Sequence, residues 1–171
     1  MPHYGDYNAM LSWEQMAIRF VIALALGAII GLEREVIGKQ AGIRTTMVVA
    51  AGAAIFAMTS ITLPYLVAVS DANLPDVIAR NSGFLPMAGN IVVGIGFLGA
   101  GIIIKENERV RGLTTAAIVW FTAAIGALAG LGLIEFAAFA TILTSGLLYV
   151  MRKMKLYEHL RVDKAEENNE D

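Results

Sequence analysis

Two groups of polar side chains in this 171-residue chain have types and spacings that could do chemistry. The first is a charged belt. Glu33, Arg34 and Glu35 close one apolar stretch, and Arg44 and Arg111 each stand just before another. Helix starts behind Arg44 and Arg111 present free N–H groups, and with the guanidinium groups they make a rim that favours anions. Glu33 or Glu35 is then the intramolecular anion that fills it. Glu33, Arg34, Glu35, Arg44, Thr45, Arg111 and Thr115 form this belt. Its functional reading is a docking site for a partner protein, or a mouth that handles an ion. Its plainer reading is a solvated charge network that sets topology and helix register. Thr45, Thr46, Thr114 and Thr115 read most simply as helix caps.

The second group lies within apolar segments. Asn90 falls about one and a half turns into a helix, where an amide needs a hydrogen-bonding partner. Arg19 has two routes to solvation: snorkelling to the outer surface, or pairing with Asp76 or another outer acid. No deep cluster of carboxylates offers the oxygen ligands that a dehydrated Mg²⁺ needs. His3 and His159 are terminal and far apart, which leaves neither a zinc site nor a Ser–His triad. There is no cysteine, so thiolate ligands and Cys nucleophiles are absent as well. The expectation is a non-enzyme with no metal or cofactor.

Glycine is the densest signal. Gly27-xxx-Gly31 and Gly126-xxx-Gly130 have the spacing that lets helix backbones touch. Gly89, Gly94, Gly96, Gly99 and Gly101 crowd a third segment. Packing is the plain reading of all of them. The sharper one is a helix loosened around a substrate path. Gly94-Ile95-Gly96-Phe97-Leu98-Gly99 matches the dinucleotide fingerprint by letters alone, since no strand precedes it and no βαβ unit follows.

These groups must be positioned by membrane-embedded helices. The chain is 57% apolar with 17 glycines and has a mean hydropathy of +0.63. A core this small cannot hide that much apolar surface from water. A net charge of −2 gives no footprint for nucleic acid. About 20 apolar residues cross the hydrocarbon layer, and five stretches qualify: Met16 to Leu32 (extendable to Leu11), Thr45 to Val69, Leu85 to Ile104, Leu113 to Leu131 and Phe136 to Met151. Gly130, Gly132 and Glu135 mark the weak boundary between the last two, so four spans with one long bent helix stay open. The fold class is an all-α polytopic transmembrane bundle, with residues 1–15 as an extracytoplasmic segment, 16–151 as the helical domain and 152–171 as a short tail.

Lys and Arg give the orientation. Arg34, Lys39 and Arg44 follow span one; Lys105, Arg109 and Arg111 follow span three; Arg152, Lys153, Lys155, Arg161 and Lys164 lie in the tail. The opposite side has Arg80 alone, and Arg19 lies within span one. Five spans, with the amino terminus outside and the carboxy terminus cytoplasmic, fit this distribution. Spans one–two and three–four also read as two parallel copies of one hairpin, each ending on an Arg-Thr-Thr or Arg-Gly-Leu-Thr-Thr helix start.

Four ordered motifs then carry a likeness. Gly31-Leu32-Glu33-Arg34-Glu35, Ala41-Gly42-Ile43-Arg44-Thr45, Gly94-Ile95-Gly96-Phe97-Leu98-Gly99-Ala100-Gly101 and Val110-Arg111-Gly112-Leu113-Thr114-Thr115-Ala116-Ala117 resemble the membrane domain of the MgtC/SapB family, from about Met16 to Leu133. Pro86 and Asn90 stand where the family often has Arg and Gln, and Thr46 where it often has His or Asn. The resemblance is to the membrane domain and is not expected to extend to the cytoplasmic domain of longer members. The resemblance implies a multi-pass protein of the bacterial cytoplasmic (inner) membrane that is not an enzyme. Longer members are associated with growth at low Mg²⁺, and the family picture favours modulation of other membrane proteins, such as ion-pumping ATPases, over Mg²⁺ transport.

The leading expectation is thus a modulator of membrane partners or of Mg²⁺ homeostasis. The alternative is an ion path along the third span, lined by Asn90 and its glycines. A scaffold that self-associates through the Gly27/Gly31 face is a third. The expected partners are the lipid bilayer, a membrane protein such as an ion-pumping ATPase, or a second copy of the chain.

Overall fold

The last carbonyls of a helix have no partner within its own regular hydrogen bonding, and two glycines supply the turns that satisfy them here. The computed structural model describes residues 11–67, 76, 79, 84–107 and 109–167. Its helices are α1 (Trp13–Val36), α2 (Ile43–Val67), α3 (Phe84–Ile102), α4 (Leu113–Leu131) and α5 (Ile134–Glu167). Gly38 closes α1, with its N–H on Glu35 O and the Lys39 N–H on Arg34 O, both at 3.0 Å. Gly132 closes α4 the same way, on Ala129 O at 3.0 Å, with Leu133 N–H on Leu128 O at 2.9 Å. Their φ angles of +63° and +89° belong to the left-handed region that glycine enters without a Cβ clash.

The bundle is the expected helical one, and Gly132 divides its last two helices, so the long bent helix is excluded. α1, α2, α4 and α5 are each long and apolar enough to cross a membrane. α3 has 19 residues, of which Gly89–Ile102 form its described apolar run. Two expectations need correction. The charged turn after α3 is a short antiparallel hairpin of β1 (Ile104–Glu106) and β2 (Arg109–Arg111), with Ile104 opposite Arg111. The last helix, expected to end at Met151 with 152–171 as a short tail, continues to Glu167. Arg80, His3 and the side chains of Pro86 and His159 lie outside the described residues.

The core is made by α1, α2 and α4, whose buried side chains are mostly small: Ala23, Ala50, Ala54 and Ala129 are fully or nearly fully covered. Between lipid-embedded helices there is little hydrophobic drive, so van der Waals contact at close approach holds them. Gly27 and Gly31 of α1 meet α2 around Thr46 and Ile43, and Gly126 and Gly130 of α4 meet the α2 backbone at Ala50 and Ala54. The order of these contacts makes α1 antiparallel to α2, and α2 parallel to α4. α3 and α5 flank this trio, and most of their large apolar side chains face outward, Phe97 being 86% exposed.

Candidate functional site

One stripe of α1 sets the geometry. Arg19, Ala23, Leu26, Ile30 and Arg34 recur at helical spacing, and the last four are buried. The two arginines stand about 22 Å apart at ~1.5 Å per residue and clasp α4 at both ends. Arg19 Nη1 donates to Gly130 O at 2.9 Å, among the last carbonyls of α4, where a cation is favoured. It neither snorkels freely nor pairs with Asp76. Arg34 Nη2 donates to Thr115 Oγ1 at 2.7 Å in the buried interior.

The charged belt is therefore divided. Arg34 is only 5% exposed, so it is no member of a solvated network. Glu33 is half-buried, with Oε2 enclosed and unpartnered, and Arg34 Nε is likewise buried without a partner. Glu35 is exposed and accepts from Ile43 N–H at 2.9 Å, so this carboxylate caps the start of α2. Arg44 and Thr45 are exposed. Arg111 is exposed on β2, in an ion pair with Glu106 at 3.5 Å.

The threonines Thr46 and Thr115 are not caps. α2 begins at Ile43, so Thr46 already lies a turn inside, fully buried, donating to Gly42 O at 3.1 Å or Ile43 O at 3.0 Å. The N-cap of α4 is Gly112, with no side-chain capping bond, and Thr115 is buried in the first turn. Sequence reasoning missed the Arg34–Thr115 contact and the burial of Thr46. The signal was present: the second threonine of each Thr-Thr pair faces the last turns of α1, at Gly31 and at Arg34.

Asn90 is separate from this cluster. It lines a cleft of about 410 Å³ between α2 and α3, with Val48, Gly52, Phe56, Gly94 and Ile95 among its apolar walls. The α3 glycines, expected to pack, mostly do not: a methyl group at Gly89, Gly94, Gly96 or Gly101 would meet nothing within 4 Å, and only Gly99 approaches α4, at Ala116. α3 lies at the edge of the bundle, which leaves those backbone positions open. Conversely, Gly27 and Gly31 pack against α2, as their spacing suggested, which occupies the face that the third reading assigned to self-association. Among the described residues, no three His, Cys, Asp or Glu gather to hold a metal ion.

Against known families, the model described as "MgtC family" matches residues 20–157. The chain belongs to the MgtC family. Protein MgtC of Salmonella typhimurium (strain 14028s) is 44% identical over 126 residues, covering 74% of this chain and 48% of the relative. Protein MgtC of Brucella abortus (strain 2308) is 45% identical over 120 residues, covering 70% of this chain and 44% of the relative. The chain thus spans under half the length of these two relatives. No solved structure matches it. Family membership and the apolar helices make this a membrane protein, and the MgtC family is not known as an enzyme family.

The capping carboxylate gives a first testable consequence. Glu35→Ala is expected to cost about 1 kcal/mol, the usual value of a lost N-cap, while exposed Arg44→Ala changes stability by less than about 0.5 kcal/mol. Unfolding midpoints of the two variants in one detergent check the contrast, and equal shifts would count against the cap.

Proposed function

We propose that the chain is a non-enzymatic protein of the bacterial cytoplasmic membrane that modulates other membrane proteins in support of Mg²⁺ homeostasis. Its amino terminus lies outside and its carboxy terminus in the cytoplasm, the orientation that the Lys and Arg distribution supports. The observation that carries the reading is the contrast between glycines. Those of α1 and α4 are taken up inside the bundle, whereas Gly94, Gly96 and Gly101 leave the α3 backbone uncovered. Open glycines on a membrane helix allow a second helix to approach closely, and an ion-pumping ATPase supplies helices of that kind.

Gly96→Leu tests this without disturbing the core, because nothing stands within 4 Å of that position. The variant should insert normally and lose at least about tenfold in capture of the ATPase from co-expressing membranes, about 1.4 kcal/mol of contact. Undiminished capture would overturn the reading. The α2–α3 cleft with Asn90 on its wall favours one second reading, an ion path. In that case sealed liposomes carrying the protein take up Mg²⁺, and Asn90→Leu slows the uptake; no flux under a gradient removes it.

A further inference from the structure

We propose that the Arg34 end of the α1–α4 pair binds a phosphate-class oxyanion. Two helices begin at this end, and their first turns are closed differently. At α2 the Glu35 carboxylate takes the Ile43 N–H. At α4 the residue before the helix is Gly112, which brings no side-chain acceptor. The N–H groups of Leu113, Thr114 and Thr115 are those a helix cannot satisfy by itself, and the helix dipole makes that turn favourable to negative charge.

A bare helix start is not a site. The deciding group is Arg34, 5% exposed, whose Nη2 lies 2.7 Å from Thr115 Oγ1 and so sets the guanidinium against that same turn. Its Nε is buried and unpartnered, so part of the donor fork is unused. Thr115 is 6% exposed; its hydroxyl accepts from Arg34, and its own hydrogen is available to donate. The side-chain groups that meet here are thus donors, and the backbone acceptor beside them, Ile102 O, lies against Gly112. The neighbouring Glu33 carboxylate acts on Arg34 through its charge but makes no hydrogen bond to it, its Oε2 being enclosed without a partner, so it opposes an incoming anion without filling the donors. Glu106 does not fill them either; it is 3.5 Å from Arg111 on the exposed hairpin.

A tetrahedral oxyanion accepts at once from a guanidinium fork and from backbone N–H groups, a match that spherical chloride lacks. The phosphodiester of a lipid headgroup and free inorganic phosphate share this chemistry. The inference stands apart from the α3 reading, since no residue of α3 takes part in it.

The test uses the full chain, purified in a phosphate-free detergent, with its melting temperature as the readout. One arm compares sodium phosphate with sodium chloride at equal ionic strength. The other compares micelles doped with phosphatidylglycerol against micelles doped with diacylglycerol, which lacks the phosphate. A rise of a few degrees with inorganic phosphate supports a site open to the free ion. A rise with phosphatidylglycerol alone supports the headgroup as its source. Arg34→Lys should weaken the effect about tenfold, and Glu33→Gln should strengthen it severalfold by removing a like charge. Should Arg34→Lys not fold, Glu33→Gln still decides. No rise in either arm, or a rise that Glu33→Gln leaves unaltered, overturns the proposal.

Discussion

Gly126→Ala is expected to prevent stable assembly of the bundle, whereas Gly96→Ala leaves it intact. The added atom is a single methyl group in both. At Gly126 it would collide with Ala50 O and lie 2.6 Å from both Ala50 C and Ala50 Cα. These are backbone atoms of a helix, so no side chain can rotate away, and α4 and α2 must separate. α2 cannot follow, because on its other side Gly31 of α1 sits where a methyl group would be 2.8 Å from Ile43 N. Overpacking that side-chain movement can relieve costs about 1–3 kcal/mol. Here the clash is with main chain on a helix held from both sides, so the cost should reach about 3 kcal/mol or more, a large part of an ordinary domain's stability of about 5–15 kcal/mol. At Gly96 the methyl meets nothing within 4 Å, and Ala is the better helix former by up to about 1 kcal/mol. The two variants should thus differ in sign. Unfolding midpoints in detergent and the amounts accumulated in membranes read this out. Equal losses at both positions would refute the packing order.

The same contrast shows where sequence reasoning reached its limit. The existence of the helices follows from composition, because apolar backbone in a membrane has to hydrogen-bond within its own segment. The break between the last two helices followed from Gly130, Gly132 and Glu135, whereas the role of Gly38 in closing α1 was not read from the sequence. What a glycine serves, however, depends on its neighbour in space. Gly27-xxx-Gly31 and Gly126-xxx-Gly130 meet helix backbones, while most of the richer cluster of α3 meets nothing, because α3 stands outside the α1–α2–α4 trio. The Arg-Thr-Thr segment read as a cap because the helix start was placed too late; α2 starts at Ile43, which moves Thr46 inward.

Arg34 was open to a better reading. Among three consecutive charges it resembles a solvated residue, yet it is in phase with Gly27, Ile30 and Gly31 at spacings of seven, four and three, the buried stripe of α1. Glu33 and Glu35 fall off that stripe by one residue on either side, about 100° each way at 3.6 residues per turn. Periodicity carries this information; residue type alone does not. The choice of Thr115 as its acceptor was not legible, since it depends on how far α4 slides along α1.

Removing the Thr115 hydroxyl is expected to cost more than its size suggests, and removing Arg34 with it should recover much of the loss. Thr115→Val deletes the acceptor of the 2.7 Å bond from Arg34 and leaves a guanidinium that is 5% exposed with still fewer partners. A hydrogen bond to a charged group is worth about 1.5–3 kcal/mol, and the orphaned donor retains its desolvation penalty. Arg34→Met takes away the charge and keeps a chain of comparable length, which buried ionic groups often tolerate without loss. The double variant Arg34→Met/Thr115→Val should accordingly be more stable than Thr115→Val alone, with a coupling of about 2 kcal/mol in the four-protein cycle. Denaturation midpoints of the four proteins in one detergent measure it, and simple additivity would show that the two side chains do not interact. Arg19→Met is the control: its partner is a backbone carbonyl in a half-buried setting, so its loss should fall at the low end of the range for a charged group, about 1.5 kcal/mol, with no coupling to Thr115. If the doubly apolar bundle is at least as stable as the parent but no longer responds to phosphate, then Arg34 is there for what it binds and not for the fold.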